Sequence, residues 1–553
     1  MTEPYEEWDK PELIKELVKL KKRKRYGIVW EEKSELVVDM CREKLPVLEE
    51  DIEKSFSLEG ARAVNVIIEG DNFHALSVLN YTHHGKIDVI YIDPPYNTGN
   101  GDTFRYNDNI VDIEDGYRNS KWLSFMNHRL KLAQELLTEK GVIIVSIDDN
   151  EVAQLKLLMN DIFHEENFIA QLVWKKKSGG GSDTKYFATD HEYILIYAKY
   201  EKNQPRYFTA LNARLKADYK FKDDNFEARG PHKRKNLYQS GIDTDRPNLR
   251  YKIVAPDGKE IWPPTIWRWS EERFQRALQE GKIDFVKDPK GNWQVYTKMY
   301  LFDDEGGEYR IKPRSILTEY GTNRDGGTEL KEIFGERVFA YPKPTTLIEW
   351  LISIILESAK VREGVVLDFF AGSGTTAHSV LKLNKNNSTN HKFILSTNND
   401  GKICTSVCYP RVKNIMQGYK KDNGENVEGF GGALKYFKTD FVDADITDIN
   451  MKKLIQRSTE MLCLKEDCFH RIKTHLFYSI FTNDKGKYFG IVYDDEGIKP
   501  LRKEILSLNE RMNVYIFSLD ESAREEEFED IAALVDLKPI PSAILNVYRR
   551  LFK

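Results

Sequence analysis

Apolar and polar positions alternate in two separate parts of the chain. Residues 87–92 (Ile-Asp-Val-Ile-Tyr-Ile) form an apolar run that is typical of a buried strand. An amphipathic helix is predicted over residues 117–138, and a second strand follows over residues 142–147. The same alternation returns later, with a helix predicted over 345–359 and strands over 365–369 and 393–396. This rhythm is typical of a parallel α/β sheet, so we predict one sheet encoded in two parts of the chain.

The segment between these two parts lacks a strand–helix rhythm and is rich in Tyr, Trp, Arg, Lys, Pro and Gly. We therefore predict that an inserted domain splits the sheet-forming domain into two halves. The predicted division is an N-terminal helical segment over 1–60, a first core half over 61–167, the insertion over 168–334, a second core half over 335–440, and a small C-terminal α/β domain over 441–553, which we expect to make dimer or partner contacts.

Charge is distributed unevenly along the chain. The 553 residues carry a formal net charge of −5. Residues 171–320 contain 29 Lys and Arg against 22 Asp and Glu, a surplus of +7, so the remainder carries −12. A basic segment between acidic flanks is expected where one domain faces a polyanion such as a nucleic acid.

The composition also excludes several classes of protein. Five cysteines are too few for a disulfide-rich scaffold and indicate a reducing compartment. Cys404 and Cys408 have no second pair or nearby His to complete a zinc site, so we expect no metal. The sequence has no run of about eighteen uncharged apolar residues and no secretory signal at its start, so we expect no membrane span and a cytoplasmic location.

The strongest chemical signal is Asp93-Pro94-Pro95-Tyr96, directly after the predicted strand at 87–92. Ligands of open parallel sheets bind beyond the carboxyl ends of the strands, and two prolines make the turn rigid. The turn therefore holds a carboxylate, a backbone carbonyl and an aromatic ring in a fixed relation, which suits an exocyclic amine on a flat heterocycle. The alternative interpretation is an ordinary turn in which the Asp is a cap.

The second signal is the segment Asp368–Thr376 (DFFAGSGTT). Gly372 and Gly374 follow a predicted strand and precede a helix, which allows a tight turn and close approach of a ligand. The third glycine of a dinucleotide fingerprint is absent, and no Gly-Lys-Ser/Thr follows, so an ATPase loop is excluded. A cofactor without phosphate, such as S-adenosylmethionine, suits this loop.

Together the two motifs resemble those of the amino-methyltransferases that act on nucleic-acid bases. Asp93–Tyr96 resembles their catalytic motif, and Phe370–Gly374 resembles their F-x-G-x-G cofactor motif. The catalytic motif comes first here, as in the permuted β class, whose insertion is the target-recognition domain. The resemblance therefore implies an α/β, Rossmann-like, S-adenosylmethionine-dependent methyltransferase core with circularly permuted motif order.

Finer features resemble the modification (Mod) subunits of Type III restriction–modification systems. These features are DPPYNTG ending at Gly99, FRYND at 104–108, GTNR at 321–324, YPKPT at 341–345, LKYFKTD at 434–440, KPIP at 538–541, and Tyr548-Arg549-Arg550. The resemblance implies adenine-N6 methylation of double-stranded DNA by base flipping in the bacterial or archaeal cytoplasm. It also implies a homodimer and an ATP-dependent restriction (Res) subunit as partner.

The resemblance also implies roles for individual residues. Asp93 and the Pro94 carbonyl would accept hydrogen bonds from adenine N6, in a corner stiffened by Pro95, and Tyr96 would stack on the flipped base. Asp71 is either near the cofactor adenine or an N-cap of the helix that follows it. The implied cofactor-binding set is Asp71, Asp93, Lys343, Pro344, Asp368, Phe370, Gly372, Gly374 and Thr375. Where the family usually has an acidic ribose contact, the chain has Thr397-Asn398-Asn399-Asp400.

The insertion should read DNA through its basic residues. The candidate contacts are Lys175, Lys176, Lys177, Lys233, Arg234, Lys235, Arg250 and Arg268. Two other functions stay open at this point. One is an N4-cytosine or RNA-base amino-methyltransferase, since the same motif serves any exocyclic amine. The other is a non-catalytic DNA-binding subunit that keeps the fold.

Overall fold

The computed structural model describes residues 9–11, 13–14, 28–61, 63–98, 118–179, 185–239, 246–303, 306–445, 447–483, 485–518 and 522–552. The chain forms two compact units. The first, called here the core unit, comprises residues 1–206 and 314–553, and the second, the inserted unit, comprises residues 207–313.

A single mixed sheet organises the core unit. Its strands, in chain order, are β1 (Lys44–Glu50), β2 (Phe56–Ser57), β3 (Val64–Glu69), β4 (Ile87–Ile92), β5 (Leu137–Ile147), β6 (Phe168–Lys175), β7 (His191–Ala198), β8 (Ile316–Leu317), β9 (Val365–Asp368), β10 (Lys392–Thr397) and β11 (Ala433–Asp443). The spatial order is β1-β11-β3-β10-β9-β4-β5-β7-β6-β8, and β2 pairs with β11.

The centre of this sheet is parallel and largely buried. Strands β11, β3, β10, β9, β4 and β5 run parallel to one another, and β7 is antiparallel to both β5 and β6. The β4 residues Val89, Ile90 and Ile92 have no exposed surface, as expected for a strand that is covered on both faces. The prediction of a Rossmann-like α/β core that is encoded in two parts of the chain is confirmed by this strand order and by the parallel pairings.

The helices of the core unit pack through apolar faces at helical spacing. In the helix Arg118–Leu136 the buried residues Trp122, Met126, Leu130 and Ala133 recur every three or four positions. The other helices of this unit are Leu36–Glu43, Asn72–Thr82, Val152–Phe163, Asn323–Phe334, Thr345–Ser358, Thr375–Asn387, Tyr409–Gln417, Asp448–Glu466, Ile498–Leu508 and Ser542–Leu551, with a π-helical turn at Cys404–Cys408.

The segment at residues 44–50 differs from the helical expectation for residues 1–60. A helix covers Leu36–Glu43, but Lys44–Glu50 is the edge strand β1 and pairs antiparallel with β11. The apolar residues of β1, Leu45, Pro46, Val47 and Leu48, are buried. Burial against β11 therefore overrides the helical expectation in this segment.

The boundaries of the insertion also differ from the expected range of 168–334. Strands β6 and β7 belong to the central sheet, because β7 pairs with both β5 and β6. The inserted unit itself has a small core around Trp267 and Phe274. Its strands are His232–Asn236, Tyr238–Gln239, Ile253–Val254, Glu260–Ile261, Ile266–Trp267, Ile283–Lys287 and Trp293–Tyr300, and its helices are Ala213–Lys216, Phe226–Arg229 and Glu271–Gln279.

The C-terminal part forms a second sheet within the core unit. Its strands, in spatial order, are His470–Thr474, Tyr478–Thr482, Tyr488–Val492, Met512–Phe517 and Val535–Ile540. Leu454, Ile544 and Tyr548 share one apolar cluster with the central sheet, and the Tyr548 hydroxyl donates to the Pro46 carbonyl at 2.5 Å. This part is therefore packed on the central sheet rather than joined to it by a linker alone.

The described ranges also bear on membrane insertion. In them we find no helix with the length and apolar character that crossing a bilayer requires.

Candidate active site

The fold brings the two sequence motifs together at one edge of the central sheet. Strands β4 and β9 are parallel neighbours, with Val366 opposite Val89 and Leu367 opposite Ile90. Their carboxyl ends therefore lie side by side, although Asp93 and Asp368 are far apart in the sequence. Both ends open into one cavity of about 500 Å³. Its lining includes Asp93, Pro94, Tyr96, Lys343, Asp368, Phe370, Ala371, Gly372, Ser373, Thr375 and Thr376.

The corner Asp93–Tyr96 is held in place from behind. The Trp122 indole donates to the Pro95 carbonyl at 2.8 Å. The next residue, Asn97, is buried with a positive φ of 57°, and its amide donates to Glu151 at 2.7 Å. Burial raises the pKa of Glu151 to about 7. These contacts fix the backbone, so that the Asp93 and Tyr96 side chains face the cavity.

A buried cluster of charges occupies the floor of the cavity. The Lys343 ammonium donates to both carboxylate oxygens of Asp93, at 2.8 and 2.7 Å, and to the Tyr96 hydroxyl at 3.0 Å. Tyr96 in turn donates to Asp93 at 2.6 Å and to Glu192 at 3.2 Å. Glu192 lies 3.4 Å from the Lys343 nitrogen and also accepts from Lys176 at 3.2 Å. Two carboxylates therefore share one deeply buried lysine.

The protonation states in this cluster follow from its geometry. Burial by itself lowers the pKa of Lys343, but the neighbouring carboxylates of Asp93 and Glu192 outweigh it and raise that pKa above its usual value. Burial and the same two carboxylates also raise the pKa of Tyr96 well above its usual value. Lys343 is therefore a cation and Tyr96 a neutral hydrogen-bond donor near neutral pH.

The glycine loop turns because two of its residues adopt positive φ. Gly372 has φ +50° and Gly374 has φ +77°, a region that residues with a side chain rarely adopt. The Gly374 amide donates to the Ala371 carbonyl at 2.7 Å, and the Ala371 amide donates to the Ser396 carbonyl of β10 at 3.2 Å. One of these hydrogen bonds closes the turn of the loop, and the other attaches the loop to strand β10. Gly372 lines the cavity.

Asp368 supports the loop from inside. It is 2% exposed and accepts from the Phe370 amide at 3.0 Å and from the Thr376 hydroxyl at 2.5 Å. Burial raises the pKa of Asp368 to about 7. The carboxyl group thus joins the start of the loop to the start of the helix that follows.

A second buried residue, Arg411, braces the same loop. Its guanidinium donates to the Ser373 carbonyl and hydroxyl, both at 3.2 Å, and to the Thr375 hydroxyl at 2.8 Å. Glu329 lies 3.8 Å away and supplies a counter-charge, and it also accepts from the Thr345 amide at 3.1 Å. Arg411 has no exposed side-chain surface, so it acts as an internal brace.

Asp71 is an N-cap of the helix Asn72–Thr82. Its carboxylate accepts from the Phe73 amide at 2.7 Å and lies 3.4 Å from the buried Arg129. It is not part of the lining of the cavity described above. Its proximity to a cofactor adenine therefore stays a prediction. The same is true of a direct role for Pro344, which the lining also lacks although Lys343 belongs to it.

The end of strand β10 holds polar atoms without partners. Ser396 Oγ, Thr397 Oγ1 and Asn398 Oδ1 are buried and make no hydrogen bond within the described structure. Asp400 instead accepts from the Asn398 amide at 2.8 Å. Unsatisfied buried acceptors are rare in folded proteins. These three residues are not part of the lining of the cavity described above, so a ligand contact at this position stays a hypothesis.

The predicted DNA contacts fall into two groups. Lys176 and Lys177 line the cavity, and the neighbouring Lys175 is exposed. The remaining five lie in the inserted unit: Lys233, Arg234, Lys235, Arg250 and Arg268. Within that unit Arg234 is ion-paired with Asp284 at 2.6 Å, and Arg250 and Arg268 are exposed. A DNA contact at any of these positions stays a prediction.

Sequence reasoning missed two residues of the site, Glu192 and Arg411. Glu192 stands at the start of the otherwise apolar strand β7, and a charge inside such a run was a usable signal. Arg411 carries no comparable local signal, because only the fold brings it to the glycine loop. Gly99 and residues 104–108, which contribute to the resemblance stated above, lie outside the described residues.

Comparisons with known proteins agree with this geometry. A family model described as DNA methylase matches residues 87–415, which is 329 of the 553 residues. The chain is 33% identical to the Type III restriction-modification enzyme StyLTI Mod subunit of Salmonella typhimurium, over 64% of this chain and 55% of that protein. It is 32% identical to the EcoP15I Mod subunit of Escherichia coli, over 63% and 60%.

A third relative is a Type II enzyme. The chain is 33% identical to the Type II methyltransferase M.KpnI of Klebsiella pneumoniae, over 62% of this chain and 82% of that protein. The chain thus spans between half and two thirds of the length of the two Mod subunits.

Proposed function

The chain belongs to the DNA methylase family, and from this premise we propose that it transfers a methyl group from S-adenosylmethionine to N6 of adenine in double-stranded DNA. We further propose that it is the modification subunit of a Type III restriction–modification system. The observation that carries the proposal is one cavity that is lined by Asp93, Pro94 and Tyr96 of the corner and by Gly372 and Ser373 of the glycine loop.

The residues on this edge fit S-adenosylmethionine. Phe370 offers an apolar surface, and Gly372 lets the backbone approach the ligand without a Cβ. The unpartnered oxygens of Thr397 and Asn398 suit the hydroxyl donors of a ribose. We therefore propose Thr397 and Asn398 as the ribose contacts, in place of the family's usual acidic residue. The cofactor supplies an electrophilic methyl group on a sulfonium.

The corner supplies the means of activating the target amine. The lone pair of an aromatic amine is delocalised into the ring, so the nitrogen is a poor nucleophile. Hydrogen bonds from its two N–H groups to the Asp93 carboxylate and the Pro94 carbonyl favour a tetrahedral nitrogen with a localised lone pair. Positive charge then develops on the nitrogen, and Asp93 stabilises it electrostatically. Tyr96 provides a ring on which the flipped base stacks.

Base flipping is the step that brings the amine to this corner. Rotating a base out of a duplex costs a few kcal/mol. Stacking on an aromatic side chain, worth roughly 1–3 kcal/mol per base, offsets part of that cost. Lys176 and Lys177, which line the cavity, are together with the basic inserted unit the proposed backbone and base contacts. DNA affinity should consequently fall as salt is added.

The partners follow from the same proposal. Two of the most similar relatives are named as Mod subunits of Type III enzymes, so we propose a homodimer that works with an ATP-dependent restriction subunit. Because the proposed substrate is genomic DNA, we place the reaction in the cytoplasm of a bacterial or archaeal cell.

The experiment is expression of the chain in a bacterial host that lacks its own adenine methylation, followed by long-read sequencing that detects modified bases. We expect N6-methyladenine at one short sequence motif, and none in cells that express Asp93→Asn. Mass spectrometry of the digested nucleosides identifies the base independently.

Other products would contradict parts of the proposal. N4-methylcytosine would overturn the adenine assignment, and methylated RNA with unmodified DNA would overturn the DNA substrate. If calorimetry shows that the purified chain binds S-adenosylmethionine and DNA but transfers no methyl group, the chain is a non-catalytic DNA-binding subunit.

A further inference from the structure

We propose that Glu192 is a positioning residue that takes the Lys343 ammonium from Asp93 when the target amine binds. The inference rests on the proposed function and specifies how its site is made ready. It starts from the geometry of four side chains on the cavity floor: Asp93, Tyr96, Glu192 and Lys343.

Lys343 and the target amine compete for the Asp93 carboxylate. In the structure Lys343 contacts both carboxylate oxygens of Asp93 at 2.7–2.8 Å, and Tyr96 donates to one of them at 2.6 Å. The amine of the target base must donate to the same carboxylate. With Lys343 in place, the carboxylate is shielded by a full positive charge, which opposes the charge that develops on the attacked nitrogen. Lys343 must therefore withdraw before the reaction.

Glu192 is the carboxylate to which the Lys343 ammonium can move. The Lys343 side chain is only 7% exposed, and a buried ammonium without a counter-ion is strongly unfavourable. Glu192 lies 3.4 Å from the Lys343 nitrogen, and its own side chain is 6% exposed. A small rotation of the lysine toward Glu192 keeps the ammonium neutralised and frees one face of Asp93.

Its place in the central sheet and two hydrogen bonds hold Glu192 beside Lys343. Glu192 lies at the start of β7, opposite Trp174 of β6, so its backbone is fixed by the central sheet. Tyr96 donates to one of its oxygens at 3.2 Å and Lys176 to the other at 3.2 Å. Asp148 and Lys177 also line the cavity, but within the described part of the chain the ion-pair partners of Lys343 are Asp93 and Glu192.

The test uses Glu192→Gln, which removes the charge and keeps an oxygen that can accept from Tyr96. Tritiated methyl transfer from S-adenosylmethionine to unmethylated bacterial genomic DNA is measured with the full-length protein. We expect kcat to fall about 100-fold, with the dissociation constant of S-adenosylmethionine changed less than threefold. Glu165→Gln, which removes a charge from an exposed glutamate beyond β5, is the matched control and should keep the wild-type rate.

A double-mutant cycle separates positioning from a structural role. Because Glu192 is proposed to act through Lys343, Glu192→Gln should cost nothing further in kcat once Lys343→Met is present. An additional loss of tenfold or more in that background would overturn the proposal, as would a wild-type rate for Glu192→Gln alone. If Glu192→Gln alone does not fold, the comparison of Lys343→Met with the double variant still decides.

The outcomes also distinguish this inference from the proposed function. If the wild-type protein transfers no methyl group to DNA, the proposed function fails. If the wild-type protein is active and either result named above as contradictory is observed, only the role of Glu192 fails.

Discussion

Two aspartates end neighbouring parallel strands, Asp93 just beyond β4 and Asp368 at the end of β9, and they have opposite surroundings. The Asp93 side chain is 28% exposed, faces the cavity and is held by the Lys343 ammonium. Asp368 is 2% exposed and accepts only neutral donors, the Phe370 amide and the Thr376 hydroxyl, among its described hydrogen bonds. The first carboxylate is paired with a cation at the cavity, whereas the second holds the glycine loop in shape.

The difference shows that position at a strand end does not decide what a carboxylate does. The Lys343 ammonium lies against Asp93, whereas burial without a neighbouring cation raises the pKa of Asp368 to about 7. Both residues were predicted to contact the cofactor, and the geometry assigns Asp368 a supporting contact with the loop. The four substitutions below test this contrast, from the largest expected effect to the smallest.

Asp93→Asn should have the largest effect, on catalysis alone. It removes the charge that faces the developing cation, so we expect methyl transfer to fall about 100- to 1000-fold. The dissociation constant of S-adenosylmethionine, measured by calorimetry, should change less than threefold. Asp161→Asn, at an exposed aspartate, is the control. A rate within tenfold of wild type would contradict the assignment of Asp93.

Arg411→Met should have the largest effect on stability. It removes the donors to Ser373 and Thr375 and leaves Glu329 without its buried partner. We expect the free energy of unfolding to fall by about 3 kcal/mol, measured by urea denaturation. Arg362→Met removes an exposed arginine that contacts a backbone carbonyl, and it should cost less than about 0.5 kcal/mol. Equal losses in the two variants would refute the brace.

Asp368→Asn should change how stability depends on pH. The folded-state pKa is about 7, above the roughly 3.9 expected for an unfolded aspartate. The folded protein therefore binds the extra proton between these values, and this contribution to stability is lost as pH rises toward 7. The free energy of unfolding of wild type relative to the variant should fall by about 2 kcal/mol from pH 5 to pH 7.

Urea denaturation at pH 5, 6, 7 and 8 measures this difference. Subtracting the variant from wild type cancels other carboxyls with raised pKa values, such as Glu151 and Glu460. If the free energies of unfolding of the two proteins differ by the same amount at every pH, Asp368 has the same pKa in the folded and the unfolded protein, which contradicts the prediction.

Gly374→Ala should have the smallest effect, which is weaker binding of S-adenosylmethionine. The residue has φ +77°, and an added Cβ would lie 3.3 Å from Cys408 Sγ. A side chain at positive φ costs about 1–2 kcal/mol, so we expect the dissociation constant of S-adenosylmethionine to rise about tenfold. Gly306→Ala has a similar φ of +81° with open space around it, and it should leave binding unchanged. Equal binding by both variants would contradict the role of Gly374.

Local pattern was enough to predict the main elements of the core. The apolar run at 87–92 has the same bounds as β4, and the predicted helix over 345–359 is observed as Thr345–Ser358. Such runs are informative because a strand buried on both faces must be apolar throughout. Edge strands and the insertion boundaries were not predictable in this way, because β1, β6 and β7 form only where a distant strand accepts them.

The sequence by itself determined which chemical groups are present: a rigid corner with a carboxylate and an aromatic ring, and a glycine loop. It also determined a fold that places both at the ends of strands. Only the tertiary structure decided which groups surround them. Lys343 is 250 residues from Asp93 in the chain, yet it binds that carboxylate, and Glu192 and Arg411 reach the site from other elements. The charge state of a buried group depends on its neighbours in space, and those neighbours are set by folding.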